Sequence, residues 1–226
     1  MRTAMTLAKQ ALAASAALLL AGAAFAQKTT LTVYTAWETE TLKPYAEGTA
    51  KVAPDIELKY VRDSTGVITA KALAEKANPQ ADVIAGLAAS SLELLKQEGM
   101  LQPYVPKGFE RLTRDYSDKA TPPSWLGLDV WGATVCFNTI EAKKRNLPKP
   151  ETWRDLTKPI YKGMIVMPNP ASSGTGFLDV TAWLQLFGEQ EGWKYMDALH
   201  ENIAQYTHSG SKPCKQAGAG EFPIGI

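Results

Sequence analysis

The chain has 226 residues, of which 45% are hydrophobic and 21% charged, and its formal net charge is +1. This composition is ordinary for a packed globular protein and excludes the polar, highly charged profile of intrinsic disorder. The nearly neutral charge also excludes the strongly basic footprint of a nucleic-acid-binding protein.

The amino terminus has the pattern of a cleaved signal peptide. Arg2 and Lys9 form a short basic region, residues 11–23 are almost wholly apolar, and Ala24-Phe25-Ala26 supplies small residues around a cleavage site. A membrane anchor requires about 20 apolar residues, whereas this run is shorter and ends on a cleavage motif. We therefore expect a signal peptide over residues 1–26, cleavage after Ala26, and export of the mature chain to the periplasm.

Segments typical of strands and of helices alternate over the first half of the mature chain. Apolar, β-branched runs predict strands, and amphipathic stretches ended by Asn78-Pro79 or Gly99 predict helices. The predicted strands are residues 31–35, 56–61 and 82–85, and the predicted helices are residues 38–51, 67–77 and 92–99. This repeated βα order predicts a parallel sheet covered by helices.

The alternation is interrupted and then resumes. Residues 103–123 are Pro-rich and irregular, and residues 125–137 form a long apolar run that we interpret as a crossing from one lobe into another. Beyond it, the predicted strands are residues 164–167, 203–207 and 222–226, and the predicted helices are residues 140–145, 176–188, 189–201 and 212–219.

This pattern predicts the first part of lobe 1 over residues 27–125 and lobe 2 over residues 126–226. The chain stops inside an apolar run at Ile226. We therefore expect further chain to follow it.

The two cysteines, Cys136 and Cys214, are far apart in the sequence, which excludes a CxxC redox or zinc motif. In an oxidising compartment they can pair as a disulfide. Two separately buried thiols are the alternative. The sequence leaves both open, because it does not supply the Cα separation that a bridge requires.

Four predicted strand-to-helix junctions share hydroxyl-bearing and small residues. They are Asp63-Ser64-Thr65-Gly66, Ala88-Ala89-Ser90-Ser91, Ser172-Ser173-Gly174-Thr175-Gly176 and Ser209-Gly210-Ser211. Free N–H groups and the helix dipole make helix starts favourable for anions, and in an open α/β sheet such starts gather where ligands bind. Ser and Thr are also the commonest N-caps, so a single junction is explained by capping alone. Four together predict one anion-binding cleft.

The chain resembles the extracellular solute-binding proteins of the ferric-ion and 2-aminoethylphosphonate transport group, and the aminoethylphosphonate branch in particular. The segments that carry the resemblance are Leu31-Thr-Val-Tyr-Thr-Ala-Trp-Glu38, Arg62-Asp-Ser-Thr-Gly66, Ala81-Asp-Val-Ile84, Leu87-Ala-Ala-Ser-Ser91, Gly163-Met-Ile-Val-Met-Pro-Asn-Pro-Ala-Ser-Ser-Gly-Thr-Gly176 and His208-Ser-Gly-Ser-Lys-Pro-Cys214.

The resemblance implies an α/β periplasmic binding protein of type II, with two lobes that each hold a mixed β-sheet flanked by helices and with the ligand in the cleft between them. It also implies that the remainder of lobe 2 and the return into lobe 1 follow Ile226. The implied protein is a non-enzymatic, monomeric component of an ABC importer that needs no cofactor. Such a protein captures a small phosphonate and delivers it to the membrane permease.

The implied ligand has two ends, and each suggests a set of residues. A phosphonate suits hydroxyl and N–H donors, and the candidates are Ser64, Thr65, Ser90, Ser172, Ser173, Gly174 and Thr175. An ammonium group needs a carboxylate or an aromatic face, and the candidates are Trp37, Glu38, Asp129, Trp131 and Tyr206. A first-turn helix charge at Glu38 and simple lobe packing by Trp37 and Trp131 are the alternative interpretations.

Two other functions are weighed against phosphonate binding. Ferric iron is bound by members of the same group through a pair of tyrosines, at positions that correspond to chain beyond Ile226. Here the only histidines are His200 and His208, and the hydroxyl-rich junctions suit an oxyanion better than a hard cation. A secreted hydrolase or phosphatase would use one of the serines, with Asp179 or Glu201 as base, but the Gly-x-Ser-x-Gly nucleophile elbow is absent.

Overall fold

The structure is a computed structural model that describes residues 28–226. The predicted signal peptide, residues 1–26, lies outside the described residues. The strands of the described range are β1 (Thr29–Thr35), β2 (Ile56–Arg62), β3 (Val83–Ala85), β4 (Cys136–Phe137), β5 (Ile165–Pro168), β6 (Ile203–Thr207) and β7 (Ile224–Gly225).

Helices alternate with these strands along the chain. The α-helices are α1 (Thr39–Val52), α2 (Thr65–Ala74), α3 (Ala89–Gln97), α4 (Thr139–Lys144), α5 (Gly174–Phe187), α6 (Glu189–His200) and α7 (Lys212–Ala219). Short 3₁₀ helices are Phe109–Arg111, Arg114–Tyr116, Trp153–Thr157 and Pro159–Tyr161. Each predicted helix and strand is confirmed to within a few residues. Within the apolar run of residues 125–137, only Cys136–Phe137 is a strand.

Local signals explain several of the helix boundaries. Asn138 caps α4, because its Oδ1 atom accepts hydrogen bonds from the amides of Ile140 and Glu141, both at 3.0 Å. Helix α7 ends at Gly220, which adopts a left-handed conformation that glycine enters without steric cost.

The strands form two sheets, in the orders β2-β1-β3 and β4-β7-β5-β6. Strand β1 pairs in parallel with β3. Strand β5 pairs in parallel with both β6 and β7, whereas β4 pairs antiparallel with β7. The expected parallel pairing is therefore present, and β4 makes the second sheet mixed.

The chain divides into two compact units. The described residues of one unit are 28–31 and Thr39–Lys59, and its helix α1 has no buried residue. The other consists of Thr32–Glu38 and Tyr60–Ile226, and it contains the hydrophobic cores, the disulfide and the candidate ligand-binding site. The predicted lobe boundary between residues 125 and 126 stays a prediction.

Two hydrophobic cores stabilise the larger unit. One surrounds the fully buried ring of Trp183, which meets the rings of Trp153 and Tyr195 edge-on, with centroids 5.5 and 5.2 Å apart. The other packs α2 and α3 against β1 through Tyr34, Ile68 and Leu95. No helix among residues 28–226 is long and apolar enough to cross a membrane.

Cys136 and Cys214 form a disulfide between β4 and α7, with their Cα atoms 5.4 Å apart. Helix α7 lies close against the sheet here, since a Cβ atom on Gly225 would overlap the carbonyl oxygen of Pro213. Of the two alternatives that the sequence left open, the structure shows the bridge.

Reduction of this disulfide is expected to lower the free energy of unfolding by about 2–4 kcal/mol, because the bridge restricts a long loop of the unfolded chain. Urea unfolding of the full-length protein with and without reductant measures the change. A Cys136→Ala/Cys214→Ala double variant is the control, because it should not respond to reductant. Equal midpoints for the oxidised and reduced wild-type protein would contradict the expectation.

Candidate ligand-binding site

Three of the four hydroxyl-rich junctions meet, near the ends of β2, β5 and β6. The Gly66 amide donates a hydrogen bond to the carbonyl oxygen of Ser172 at 2.9 Å, which joins the start of α2 to the loop before α5. A Cβ atom on Gly174 would lie 2.8 Å from Thr65 Oγ1, and one on Gly210 would overlap Thr175 Oγ1. Only glycine allows these segments to approach so closely.

The carbonyl oxygen of His208 lies at the centre of this contact. Ser64 Oγ and Ser172 Oγ each donate a hydrogen bond to it, both at 3.0 Å. Two of the predicted phosphonate donors therefore use their hydroxyl groups to bind another loop of the protein. Residue types alone do not separate that role from ligand binding.

A second contact joins the same loops, because the His208 ring is hydrogen-bonded to the carboxylate of Asp63. Partial burial raises the pKa of Asp63, but the hydrogen bonds from His208 and from the Ser64 amide outweigh this effect. The pKa of Asp63 consequently lies below its usual value, so this carboxylate is ionised at neutral pH.

Ser173 is the N-cap of a helix, which is the alternative role that the sequence left open for the hydroxyl-rich junctions. Its side chain is buried and accepts a hydrogen bond from the Gly176 amide at 3.3 Å, which caps α5. Thr65, in the first turn of α2, is also buried. The structure therefore places Ser173 and Thr65 inside the contact between loops.

Glu38 lies among cations of the protein. Its carboxylate is 3.0 Å from Arg62 Nη2 and 3.7 Å from Lys215 Nζ, and it accepts a hydrogen bond from Ser211 Oγ at 2.7 Å. Because these partners compensate its charge, Glu38 is a poor counter-ion for a ligand ammonium group.

Beside these loops lies a cavity of about 530 Å³. Five of the predicted residues line it, namely Trp37, Ser90, Asp129, Trp131 and Gly174. The aromatic residues that it adds are Tyr116, Trp125 and Phe177, and the polar ones are Asp115, Thr181 and Gln185. No lysine, arginine or histidine of residues 28–226 is among the lining residues, so the charged groups of the cavity are two carboxylates.

The fourth junction, at the start of α3, lies at this cavity. Its N-cap is Ala88, which makes no side-chain cap hydrogen bond, whereas α5 is capped by Ser173. The first N–H groups of an α-helix have no partner within the helix. The amides of Ser91 and Leu92 donate to the Ala88 carbonyl oxygen at 3.0 and 3.2 Å, so the amides of α3 that are available to an anion are those of Ala89 and Ser90.

Trp37 is fixed in the cavity wall by its surroundings. Its amide donates to Thr35 Oγ1 at 3.1 Å, and its carbonyl oxygen accepts from Arg62 Nε at 3.0 Å. Gly86 lies against its ring with a φ of +66°, and a Cβ atom there would lie 2.5 Å from the indole. Trp37 is therefore held in one position.

Tyr206 lies apart from the other candidates. Its ring stacks on His200, its hydroxyl is 2.8 Å from His200 Nδ1, and it does not line the cavity.

Asp115, Tyr116 and Phe177 were not predicted from the sequence as site residues. Asp115 and Tyr116 fall in an irregular segment without periodicity. Among residues 28–226 there is no cluster of three or more His, Cys, Asp or Glu residues that could hold a metal ion.

Comparison with known proteins identifies the family of this chain. A family model of bacterial extracellular solute-binding proteins matches residues 78–226. A probable ABC transporter periplasmic-binding protein of Sinorhizobium fredii is 33% identical over 201 residues, which cover 83% of this chain and 52% of that protein. An uncharacterized protein of Haemophilus influenzae is 31% identical over 175 residues, or 76% of this chain and 51% of that protein. The chain thus spans about half the length of these relatives.

Solved structures show the same fold. The periplasmic binding protein AfuA from Actinobacillus pleuropneumoniae, solved with exogenous fructose-6-phosphate bound, is 31% identical with a TM-score of 0.76, and the match covers 87% of this chain and 62% of that one. Iron-bound HitA from Pseudomonas aeruginosa, at 21% identity and a TM-score of 0.71 over 87% of this chain and 62% of that one, shares the fold alone. The predicted α/β periplasmic binding protein fold of type II is confirmed. On these matches the chain belongs to the bacterial extracellular solute-binding proteins.

Proposed function

We propose that this chain is part of the periplasmic solute-binding component of an ABC importer, which captures 2-aminoethylphosphonate and delivers it to the membrane permease. The observation that carries the proposal is the cavity, where an uncapped helix start, an aromatic wall and the carboxylate of Asp129 lie together. The whole protein would act as an exported monomer without a cofactor.

The start of α3 supports binding of the phosphonate end. The amides of Ala89 and Ser90 and the positive end of the helix dipole favour an oxyanion, and the Ser90 hydroxyl adds a donor. Gly174, at the start of α5, lines the same cavity.

The acidic and aromatic residues support binding of the ammonium end. Asp129 and the ring of Trp131 both line the cavity, and a cation is attracted to a carboxylate and to an aromatic face. Asp115, the other carboxylate of the lining, forms an ion pair with Lys119 Nζ at 3.1 Å, so the acidic charge open to a ligand is that of Asp129. No cationic side chain is among the described lining residues, so a ligand with a positive group is favoured over a dianion without one. An aminophosphonate therefore fits this cavity better than a sugar phosphate.

Capture requires no covalent chemistry. In the proposed mechanism the open form admits the ligand, and the hydrogen bonds between the Ser64, Ser172 and His208 loops form as the protein closes around it. The carboxylate oxygens of Asp179, weighed above as a base, have no hydrogen-bond partner among residues 28–226 and so activate no serine there.

An Asp129→Asn substitution tests the ammonium end of the ligand. Calorimetric titration of the full-length protein is expected to show about a fivefold weaker affinity for 2-aminoethylphosphonate, because an exposed ion pair contributes up to about 1 kcal/mol. Ethylphosphonate, which lacks the ammonium group, is the matched control ligand, and its affinity should not fall, because the loss of a carboxylate does not disfavour an anion.

The wild-type protein should also prefer 2-aminoethylphosphonate to phosphate, fructose-6-phosphate and ferric citrate, and the ligand should be recovered unchanged. Tighter binding of fructose-6-phosphate, or turnover of the phosphonate, would refute the proposal. An equal loss for both phosphonates in Asp129→Asn would remove this residue from the ammonium site.

A further inference from the structure

One wall of the cavity is formed by a loop, residues 115–127, which we call the wall loop. Its residues that line the cavity are Asp115, Tyr116, Trp125, Leu126 and Gly127. The two ends of the loop are joined by a β-bridge between Ser117 and Leu126 and by a hydrogen bond from the Gly127 amide to the Tyr116 carbonyl oxygen at 2.6 Å. Two ring-bearing cavity residues therefore depend on a segment that has little regular secondary structure.

Asp118 holds the inside of this loop together. It is 3% exposed, and its carboxylate accepts hydrogen bonds from Lys96 Nζ at 2.7 Å, from the Ala120 amide at 3.0 Å and from the Ser124 amide at 2.8 Å. A buried charge is tolerated only when it is paired and hydrogen-bonded, and here both conditions are met. Asp118 does not itself line the cavity.

The charge of Asp118 persists at any physiological pH. Burial raises its pKa, but Lys96 and the two amides more than offset that effect and bring the pKa to about 2. The ionised carboxylate therefore accepts the hydrogen bonds from both parts of the loop throughout the pH range in which the protein works.

Helix α3 connects the wall loop to the ligand end of the cavity. Its Lys96 binds Asp118, and its Glu93 accepts a hydrogen bond from Trp125 Nε1 at 2.9 Å. The same helix places Ser90 at the cavity. The helix start and the aromatic wall are thus held in one rigid arrangement.

We propose that Asp118 is a positioning residue for ligand binding, which fixes the wall loop against α3 so that Tyr116 and Trp125 stay in place around the ligand. This inference rests on the proposed function of the cavity. Asp118 would act by holding Tyr116 and Trp125 in position, without touching the ligand itself.

An Asp118→Asn variant of the full-length protein tests the proposal with two measurements. Titration with 2-aminoethylphosphonate is expected to give a Kd about tenfold higher or more, since hydrogen bonds to a charged group are strong. Native-state amide exchange is expected to rise about tenfold or more within residues 116–127 but not in β5, because local opening is regional. A role in global stability alone would move both regions together.

Two further variants keep the test interpretable. Asp155→Asn is the matched control, because Asp155 also accepts two loop amides and pairs with a lysine, Lys158, but lies outside the cavity lining. It should leave the Kd within about twofold, since distant sites act independently. Lys96→Gln removes only the ammonium partner, and it should change Kd and exchange in the same direction by less, which gives a readout if Asp118→Asn does not fold.

The outcomes separate this inference from the proposed function. If the wild-type protein does not bind 2-aminoethylphosphonate, the proposed function fails. In that case, whether amide exchange in Asp118→Asn rises only within residues 116–127 decides if Asp118 orders the wall loop. An unchanged Kd despite faster exchange, or no selective exchange, overturns the positioning role.

Discussion

A Gly86→Ala substitution is expected to lower the free energy of unfolding by about 2–5 kcal/mol and to reduce ligand affinity about tenfold. Two effects add. A non-glycine residue at a φ of +66° costs about 1–2 kcal/mol, and a methyl group 2.5 Å from the Trp37 indole costs a further 1–3 kcal/mol through overpacking. The ring can avoid the overlap only by leaving the cavity wall, which removes an aromatic face from the ligand.

Gly99→Ala is the matched control for this experiment. Gly99 has a φ of +69°, and no atom lies within 4 Å of the position that its Cβ would occupy. It should therefore show the backbone cost alone and bind 2-aminoethylphosphonate with the affinity of the wild-type protein. Chemical unfolding and calorimetric titration of both variants measure the two effects. Equal stability losses, or an unchanged affinity for Gly86→Ala, would show that the contact with Trp37 does not matter.

The second large effect concerns Asp179, a buried residue of α5 whose carboxylate oxygens have no hydrogen-bond partner among residues 28–226. Burial raises its pKa to about 7 from an ordinary value of 3.8. The folded state therefore retains a proton that the unfolded chain has already lost. We expect the contribution of Asp179 to the free energy of unfolding to be highest below about pH 4 and to fall by as much as about 4 kcal/mol as the pH rises to 7.

An Asp179→Asn variant should lose this pH dependence, because an amide has the same shape and does not ionise. Urea unfolding at pH 5 and pH 8 is the measurement, and the variant should be the more stable protein only at pH 8. Asp197→Asn, at an exposed position of α6, is the control and should follow the wild-type protein. A wild-type stability that changes with pH no more than that of Asp179→Asn would mean that Asp179 is solvated or paired in solution.

The elements were predictable because their signals are local. Residues 203–207 were predicted as a strand and form β6, and the Ser173 hydroxyl is the N-cap that its position before α5 allowed. The contact between the hydroxyl-rich loops after β5 and β6 also followed from the sequence, since neighbouring parallel strands direct their carboxyl ends to one edge of a sheet. The loop after β2 belongs to the other sheet, so its contact with them did not follow from this rule.

The candidate site was predictable only in part. Five of the predicted residues line one cavity, namely Trp37, Ser90, Asp129, Trp131 and Gly174, and their contacts with a ligand stay predictions. Glu38 is instead paired with Arg62 and Lys215, and Tyr206 stacks on His200. The partners that decide these outcomes are distant in the chain: Ser64 and the His208 carbonyl oxygen that it binds are separated by 144 positions. No local pattern reports such a pairing.

The sequence by itself determined the order of helices and strands, the hydroxyl-rich helix starts and the family resemblance, because each depends on residues that are neighbours along the chain. Only the tertiary structure decided that Cys136 and Cys214 are bridged, and that Ser64 and Ser172 bind His208. It also decided that Asp118 supports the cavity wall. A polar side chain forms a hydrogen bond with whichever partner the fold brings within about 3 Å, and packing over the whole chain determines that partner.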